Sequence, residues 1–150
     1  MPIVEASATI GAAPEAVFAV SQDYYLRLKW DPFLREIKFL GGATEAAVGG
    51  QVWVRARNGF AMTVEYRVVQ PPSHVAVKMV QGPFFFDQFG GTWSFAPADG
   101  QQTRATFRYS FRTRWPILRP LVDPVIRLVF SREIQARVMG LKTYMETPAR

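Results

Sequence analysis

The sequence predicts an α+β fold in which a curled antiparallel sheet of about six to seven strands wraps around one long C-terminal helix. Residues 51–112 alternate apolar and polar side chains through strand-length runs separated by turn residues. Two short helical segments separate the first strand from the second, and the last part of the chain changes to a helical period. Helices on one face of an antiparallel sheet define an α+β arrangement, and a sheet that covers a single long helix must curl.

The N-terminal quarter predicts a strand, two short helices and a second strand. Apolar and polar residues alternate over residues 4–10, as in a half-buried strand. Pro14 suits the first turn of a helix. A second short helix is predicted from Tyr24 to Lys29, because Pro32 disfavours helical geometry in the residue before it. Residues 35–40 resume the strand pattern.

The middle of the chain predicts consecutive antiparallel hairpins. Asn58-Gly59 is a strong signal for a tight hairpin turn. Gly90 and Gly91 interrupt an aromatic strand between Phe89 and Trp93. Glycine weakens a strand, so its presence there indicates a bend or the close approach of another group. We expect these glycines to let the strand bend and to leave room beneath it for the helix or for a ligand. Residues 41–50 are predicted to form a flexible turn.

The C-terminal region predicts one long helix over residues 124–146, about 33 Å in length. Apolar residues recur there at spacings of three or four and form one stripe: Ile126, Phe130, Ile134, Val138, Leu141 and Met145.

Length and composition indicate one globular domain over residues 1–150, with 49% hydrophobic and 20% charged residues. The absence of cysteine excludes disulfides and thiolate metal sites, and the spacing of potential ligands predicts no metal site. The first ten residues lack the pattern of a signal peptide, and no apolar run is long enough to span a bilayer. We therefore expect a cytoplasmic protein, with peripheral association at a membrane left open.

Positive charge is concentrated at the C-terminal end. Residues 1–103 hold eight Lys/Arg and nine Asp/Glu, whereas residues 104–150 hold ten and three. An interfacial segment combines cations with apolar residues, which suggests an anionic membrane surface as a partner through Arg112, Arg114, Arg119 and Arg127. The alternative is a solvated basic face. Nucleic acid is not expected, because the aromatic residues lie with the apolar set rather than among exposed arginines.

Local motifs in this order resemble a known superfamily. The segment 10–23, IGAAPEAVFAVSQD, follows the first strand; Trp30-Asp31-Pro32-Phe33 precedes the second; and Gly91, Trp93 and Phe95 form a Gly-x-Trp-x-Phe motif. Over nearly the whole chain the sequence resembles the START-like superfamily, also called SRPBCC or helix-grip. It includes polyketide cyclases/dehydrases, plant pollen allergens and lipid-transfer domains. The small bacterial cyclase/dehydrase proteins are the most similar group.

The resemblance implies a deep apolar cavity between the curled sheet and the C-terminal helix that holds a hydrophobic ligand, with no cofactor. The residues expected to contact the ligand carry large apolar or aromatic side chains on the inward faces: Trp30, Phe33, Met62, Val64, Tyr66, Val77, Met79, Phe89, Trp93, Phe95, Phe107, Tyr109, Phe111, Phe130, Ile134, Val138 and Leu141.

Three functions follow from these observations. The first is binding or transport of a hydrophobic small molecule such as a lipid, quinone, isoprenoid or polyketide. The second is a cyclase/dehydrase-type enzyme that uses the same cavity, with Tyr66, Tyr109 and Arg127 as candidate catalytic residues. The alternative is that these residues have only structural roles. The two tyrosines would then be buried phenols that each satisfy one hydrogen bond, and the arginine would extend to solvent. The third is a protein-interaction module that presents the basic C-terminal region and has a filled cavity. The oligomeric state stays open.

Overall fold

The computed structural model describes residues 2–42 and 47–147, so part of the predicted 41–50 turn lies outside the described residues. The elements follow one another in the order β1 (Ile3–Ile10), α1 (Pro14–Gln22), α2 (Tyr24–Trp30), β2 (Leu34–Phe39), β3 (Gln51–Ala56), β4 (Ala61–Gln70), β5 (His74–Gln81), β6 (Phe86–Ala98), β7 (Gln102–Thr113), a short 3₁₀ helix (Pro116–Leu118) and α3 (Arg119–Glu146).

All seven strands belong to one antiparallel sheet with the order β1-β7-β6-β5-β4-β3-β2. Six of them follow one another as hairpins, and β1 adds to the far edge by pairing with β7, from Ile3 opposite Ser110 to Ile10 opposite Thr103. The sheet curls around α3, which contacts both β1 and β7. The α+β helix-grip fold predicted from the sequence is confirmed.

The two short helices between β1 and β2 begin where the sequence provides a start signal. Pro14 occupies the first turn of α1, where the missing amide hydrogen has no helical partner anyway. Asp23 separates the helices, and its Oδ1 accepts hydrogen bonds from the amides of Tyr25 and Leu26 at 3.1 and 3.2 Å. This cap lets the chain change direction between α1 and α2 without losing hydrogen bonds.

The long helix starts at Arg119, earlier than the predicted position 124. Pro120 lies in the first turn, where proline is tolerated, so only Pro124 removes a hydrogen bond from the helix. The start is held by two contacts to the end of β7: Thr113 Oγ1 donates to Asp123 Oδ1 at 2.8 Å, and Arg119 Nε donates to the Thr113 carbonyl at 3.1 Å. Within the described ranges, no helix is long and apolar enough to cross a bilayer.

The apolar side chains form two clusters. The larger one joins β1, β6, β7 and the C-terminal half of α3, with Ile134, Val138 and Leu141 completely buried. The smaller one joins α2 to β3, β4 and β5 around Tyr24, Val52 and Tyr66. No residue of the N-terminal half of α3 is among the fully buried residues of either cluster. This half of the helix therefore packs less tightly on the sheet.

The glycine pair marks a place where two strands separate. Pairing of β5 with β6 ends at Lys78 opposite Gly90, whereas β6 continues to pair with β7 as far as Phe86. A Cβ at Gly90 would lie 3.1 Å from the Val77 carbonyl oxygen, so the close approach of β5 favours glycine there. A Cβ at Gly91 would meet the Phe107 ring at an ordinary 3.5 Å.

Candidate functional site

A cavity of about 260 Å³ lies between the inner face of the sheet and the N-terminal part of α3. Its walls come from α2, from β3 to β7 and from one side of α3. Its volume is near the lower end, about 300 Å³, of the range typical for small-molecule sites. Gly91 lies in the wall, so one of the two glycines leaves open space for the cavity.

Nine of the residues expected from the sequence to contact a ligand line this cavity, and most of them are aromatic. They are Phe33, Met62, Val64, Val77, Phe89, Trp93, Phe107, Tyr109 and Phe130. Their contact with a ligand stays a prediction.

The other eight lie outside the lining: Trp30, Tyr66, Met79, Phe95, Phe111, Ile134, Val138 and Leu141. Most of these fill the two core clusters. Ile134, Val138 and Leu141 are completely buried because the C-terminal half of α3 packs directly onto the sheet. An apolar stripe predicts which side of a helix is buried, but it does not distinguish core from cavity.

The three candidate catalytic residues are in different surroundings. Tyr109 lines the cavity, and its oxygen accepts a hydrogen bond from Arg137 Nη1. Tyr66 lies in the smaller cluster, where its hydroxyl donates a long 3.5 Å hydrogen bond to Gln22 Oε1. Burial raises the pKa of both phenols above their usual range, so both stay neutral. The Arg127 side chain is exposed and is not part of the lining.

A buried ion pair, which the sequence analysis missed, lies at the inner end of the cavity. Arg137 on α3 donates to Asp31 through Nε at 3.1 Å and through Nη2 at 2.8 Å. The two residues are 6% and 1% exposed, respectively. The Arg137 guanidinium lies 4.7 Å from the ring centroid of Phe33 and 4.8 Å from that of Phe107. The bidentate pair therefore ties the helix to the α2–β2 connection inside an aromatic shell.

Asp31 contacts several polar groups at this end of the cavity. Its Oδ1 also accepts a hydrogen bond from the Phe33 amide at 3.0 Å. Its Oδ2 lies 3.5 Å from Nη2 of Arg27, a second buried arginine that lines the cavity. Asp31 therefore has two guanidinium neighbours, Arg27 and Arg137. Because one carboxylate balances only one of these two positive charges, the three residues together carry one excess positive charge.

Glu133 supplies a second carboxyl group, one turn before Arg137 on α3, and lines the cavity. Burial raises its pKa to about 7, although the positive charge of Arg137 and the neighbouring Tyr109 hydroxyl oppose the rise. Near neutral pH this carboxyl group therefore exists in both protonation states. A group that titrates near pH 7 in a cavity is suited to proton exchange with a bound molecule.

The sequence carried weak signals for these charged residues. Arg137 directly precedes Val138 on the apolar stripe, and Asp31 lies within the Trp30-Asp31-Pro32-Phe33 motif. A charge beside a stripe is usually solvated, and the pairing of residues 106 positions apart cannot be read from local pattern. Only the folded structure shows that Asp31 and Arg137 lie at the same end of the cavity.

The mouth of the cavity is apolar. Phe60, Val125 and Val129 line the cavity and are each more than half exposed to solvent. Val125 is twelve residues from Arg137 on α3, which places the mouth about 18 Å along the helix axis from the buried ion pair. The cavity therefore has an apolar outer end and a polar inner end.

Solved structures of similar shape confirm the fold. A protein from Thermus thermophilus superposes with a TM-score of 0.80 at 20% identity, covering 96% of this chain and 97% of that chain. A START superfamily protein from Mycobacterium smegmatis gives 0.79 at 12% identity, with 96% and 97% covered. The Zhui aromatase/cyclase from a Streptomyces species gives 0.80 at 18% identity, with 97% and 93% covered. At these identities the likeness shows the fold alone.

Comparison of the sequence with protein-family profiles identifies the family. No curated protein matches the chain significantly. The profile of the family described as "Polyketide cyclase / dehydrase and lipid transport" matches residues 1–146. The chain therefore belongs to the polyketide cyclase/dehydrase and lipid transport family.

Proposed function

We propose that the protein binds a hydrophobic small molecule in the cavity between the sheet and α3. The single observation that carries the proposal is an open, mainly apolar cavity rich in aromatic side chains, with an apolar mouth, in a chain of this family. Burying about 300 Å² of apolar ligand surface provides about 7–8 kcal/mol before the costs of association, so apolar burial alone supports at most a Kd of several micromolar. The third function considered from the sequence, an interaction module, is disfavoured because that function predicts a filled cavity.

Native mass spectrometry of the purified protein tests this proposal, run beside a solvent extract of the denatured protein. A discrete additional mass that reappears in the extract supports binding and identifies the chemical class of the ligand. If the protein is free of ligand and neither fatty acids, quinones nor aromatic polyketides raise its melting temperature, the proposal is wrong.

A second candidate function is catalysis of a cyclisation or dehydration in the same cavity. The observation that favours it is the group of Tyr109, Glu133 and Arg137 at the inner end, because such reactions need positioned acid and base groups. A carrier returns its ligand unchanged, whereas an enzyme converts it. Incubation of the extracted ligand with wild-type protein and with Glu133→Gln, followed by mass spectrometry, distinguishes the two functions.

We further propose that the mouth of the cavity docks on an anionic membrane surface. Nine exposed apolar side chains, here called the apolar rim, lie on the 84–85 loop, the 3₁₀ helix, the start of α3 and residue 60: Phe60, Phe84, Trp115, Ile117, Leu118, Leu121, Val125, Leu128 and Val129. Ile117 is 91% exposed, and the rings of Phe84 and Trp115 are in edge contact at 6.0 Å. The rim includes the mouth residues, so docking would open the cavity toward the bilayer.

Arginines beside the rim provide the matching charge. Arg112 is paired with Asp87 at 2.6 Å, whereas Arg114, Arg119 and Arg127 have no carboxylate partner among the residues that the structure describes. Each cation near an anionic surface contributes about 1 kcal/mol, and the attraction weakens with salt. The apolar rim and the arginines together fit an anionic bilayer, whose hydrocarbon boundary buries the apolar side chains while its headgroups attract the arginines.

Flotation with phosphatidylcholine vesicles, with and without phosphatidylglycerol, tests the docking. Wild-type protein should float with the anionic vesicles at low salt, and the Ile117→Glu/Leu121→Glu variant should not. Tyr25→Glu, at an exposed residue on α2, is the matched control and should float like wild type. Equal flotation with both kinds of vesicle, or an unaffected double variant, would contradict docking through the rim while leaving ligand binding untouched.

A further inference from the structure

Arg27 on α2 is a buried arginine whose guanidinium donors are unused within the described part of the chain. The residue is 4% exposed and lines the cavity. Its Nη2 lies 3.5 Å from Asp31 Oδ2, whereas a charge-assisted hydrogen bond of this kind measures about 2.7–2.9 Å. Nη1 has no hydrogen-bond partner among the described residues, and of the three nitrogens only Nε is both unpartnered and fully enclosed. The terminal end of the guanidinium is therefore the part that meets the cavity.

Asp31 does not satisfy Arg27, because the oxygens of this carboxylate already accept from other donors. Oδ1 accepts from the Phe33 amide at 3.0 Å and from Arg137 Nε at 3.1 Å. Oδ2 accepts from Arg137 Nη2 at 2.8 Å. The carboxylate thus balances Arg137, and the excess positive charge of the three residues belongs to Arg27. A buried charge without a full partner is costly, so its place in a cavity wall indicates a site for an anion.

Aromatic rings surround the guanidinium of Arg27 without using its donors. Its central carbon lies 4.8 Å from the ring centroid of Tyr24 and 5.6 Å from that of Trp30. These rings attract the positive charge through their faces, but a ring face does not replace an oxygen as acceptor for an N–H group. The rings therefore hold the side chain in place and leave its hydrogen-bonding capacity for a bound molecule.

Charge and shape favour a carboxylate over a phosphate as that anion. With Glu133 protonated, Arg27 and Arg137 carry two positive charges and Asp31 carries one negative charge, so a single carboxylate makes the group neutral. A phosphate monoester carries about −1.5 to −2 charges at neutral pH and would leave negative charge buried. The two oxygens of a carboxylate also match the planar fork of a guanidinium.

We infer that the cavity selects an apolar molecule that ends in a carboxylate, which the terminal nitrogens of Arg27 bind at the inner end. The inference rests on the proposed function of ligand binding and adds the chemical class of the ligand and the direction in which it enters. The apolar body of the ligand fills the aromatic part of the cavity toward the mouth at Phe60, Val125 and Val129.

Glu133 makes this binding depend on pH. The charged and titratable groups around Glu133 are Tyr24 and Arg27 on α2, Asp31 after α2, Tyr109 on β7 and Arg137 on α3. Burial raises the pKa of Glu133 to about 7, so above that pH its carboxylate repels a ligand carboxylate at the same end of the cavity. Affinity for the ligand should therefore rise as the pH falls through about 7, because a carboxylate with an ordinary pKa of about 4 stays ionised there.

Calorimetric titration with two probes of nearly the same shape tests the inference: 2-naphthoate and its neutral amide, 2-naphthamide. At a pH of about 6, wild-type protein should bind 2-naphthoate about tenfold or more tightly, because hydrogen bonds between charged groups are stronger than neutral ones. Arg27→Met should lose this preference and still bind 2-naphthamide. Arg35→Met, at an exposed arginine on β2, is the matched control and should behave like wild type. Glu133→Gln should bind 2-naphthoate equally at pH 6 and 8, whereas wild type should bind it more weakly at pH 8.

Equal affinity of the wild type for the two probes, or a preference that survives Arg27→Met, would overturn the inference while leaving the cavity as a binding site. If Arg27→Met does not fold, Arg27→Lys decides, because lysine keeps the charge without the planar fork and should show a reduced preference. A lysine variant that binds 2-naphthamide normally and shows no preference would also overturn the inference. Failure of both probes to bind wild-type protein would contradict the proposed function itself.

Discussion

The two halves of α3 have similar apolar sequences and opposite surroundings. In the C-terminal half Ile134, Val138 and Leu141 are completely buried, whereas in the N-terminal half Leu121, Val125 and Leu128 are all more than half exposed. The first group packs in the core cluster with β1 and β7, whereas of the second group Val125 lines the cavity and none belongs to a core cluster. The comparison teaches that one half of the helix holds the fold together and the other half leaves room for a ligand.

The largest expected effect concerns the buried ion pair that joins the C-terminal half of α3 to the α2–β2 connection. Arg137→Met should destabilise the protein by about 3–5 kcal/mol, because it leaves Asp31 buried without its bidentate partner. The double variant Asp31→Asn/Arg137→Met should recover only part of the loss, since it removes the unpaired carboxylate but leaves the buried Arg27 guanidinium without its partner. Urea unfolding measures both, and a double variant no more stable than the single one would show that an unpaired Asp31 charge is not the main source of the loss.

The helix halves can be compared with one matched substitution. Leu141→Ala should cost about 2–5 kcal/mol of unfolding free energy, as expected for a completely buried leucine. Leu121→Ala, at a leucine that is 74% exposed, should change stability by less than about 0.5 kcal/mol. Thermal or urea unfolding gives both values, and similar losses at the two positions would mean that the N-terminal half is packed against something in solution.

Glu133 provides a pH-dependent test of the boundary between the halves. Its folded-state pKa of about 7 lies above the ordinary value of 4.5, so the folded protein favours the protonated carboxyl group. The contribution of this group is most favourable below the ordinary value and declines as the pH rises through about 7. Glu133→Gln should therefore match wild type near pH 4.5 and become more stable by about 1–2 kcal/mol above pH 7. A stability difference independent of pH would place the carboxyl group in solvent.

The last prediction, at Gly91, concerns binding rather than folding. A Cβ there makes only ordinary contacts, so Gly91→Leu should fold and place its side chain in the cavity. Affinity for a small aromatic probe such as 2-naphthol, measured by calorimetric titration, should fall about tenfold or more, equivalent to about 1.4 kcal/mol. Ala96→Leu, on the exposed face of the same strand, is the control and should bind normally. Undiminished binding by Gly91→Leu would place the ligand elsewhere.

Sequence reasoning was most successful where structure depends on local pattern. Alternation over residues 51–112 predicted the hairpins, and Pro14 and Pro32 limited the short helices. The start of α3 was predicted five residues too late because Pro120 and Pro124 weaken the helical signal there, and the contacts between Thr113, Asp123 and Arg119 that hold the first turns lie outside the local pattern. Eight of the seventeen predicted ligand contacts lie outside the cavity lining, six of them in the two core clusters, because burial alone does not reveal an empty space.

The sequence by itself determined the order of the elements, the apolar faces and the family, because strand alternation, helical periodicity and turn residues act over a few neighbouring positions. Only the tertiary structure decided which apolar residues line a cavity and which charges are buried. Asp31 and Arg137 meet across 106 residues, and Glu133 acquires its raised pKa from groups on other elements. Burial and charge are properties of the packed surroundings, which no short stretch of sequence contains.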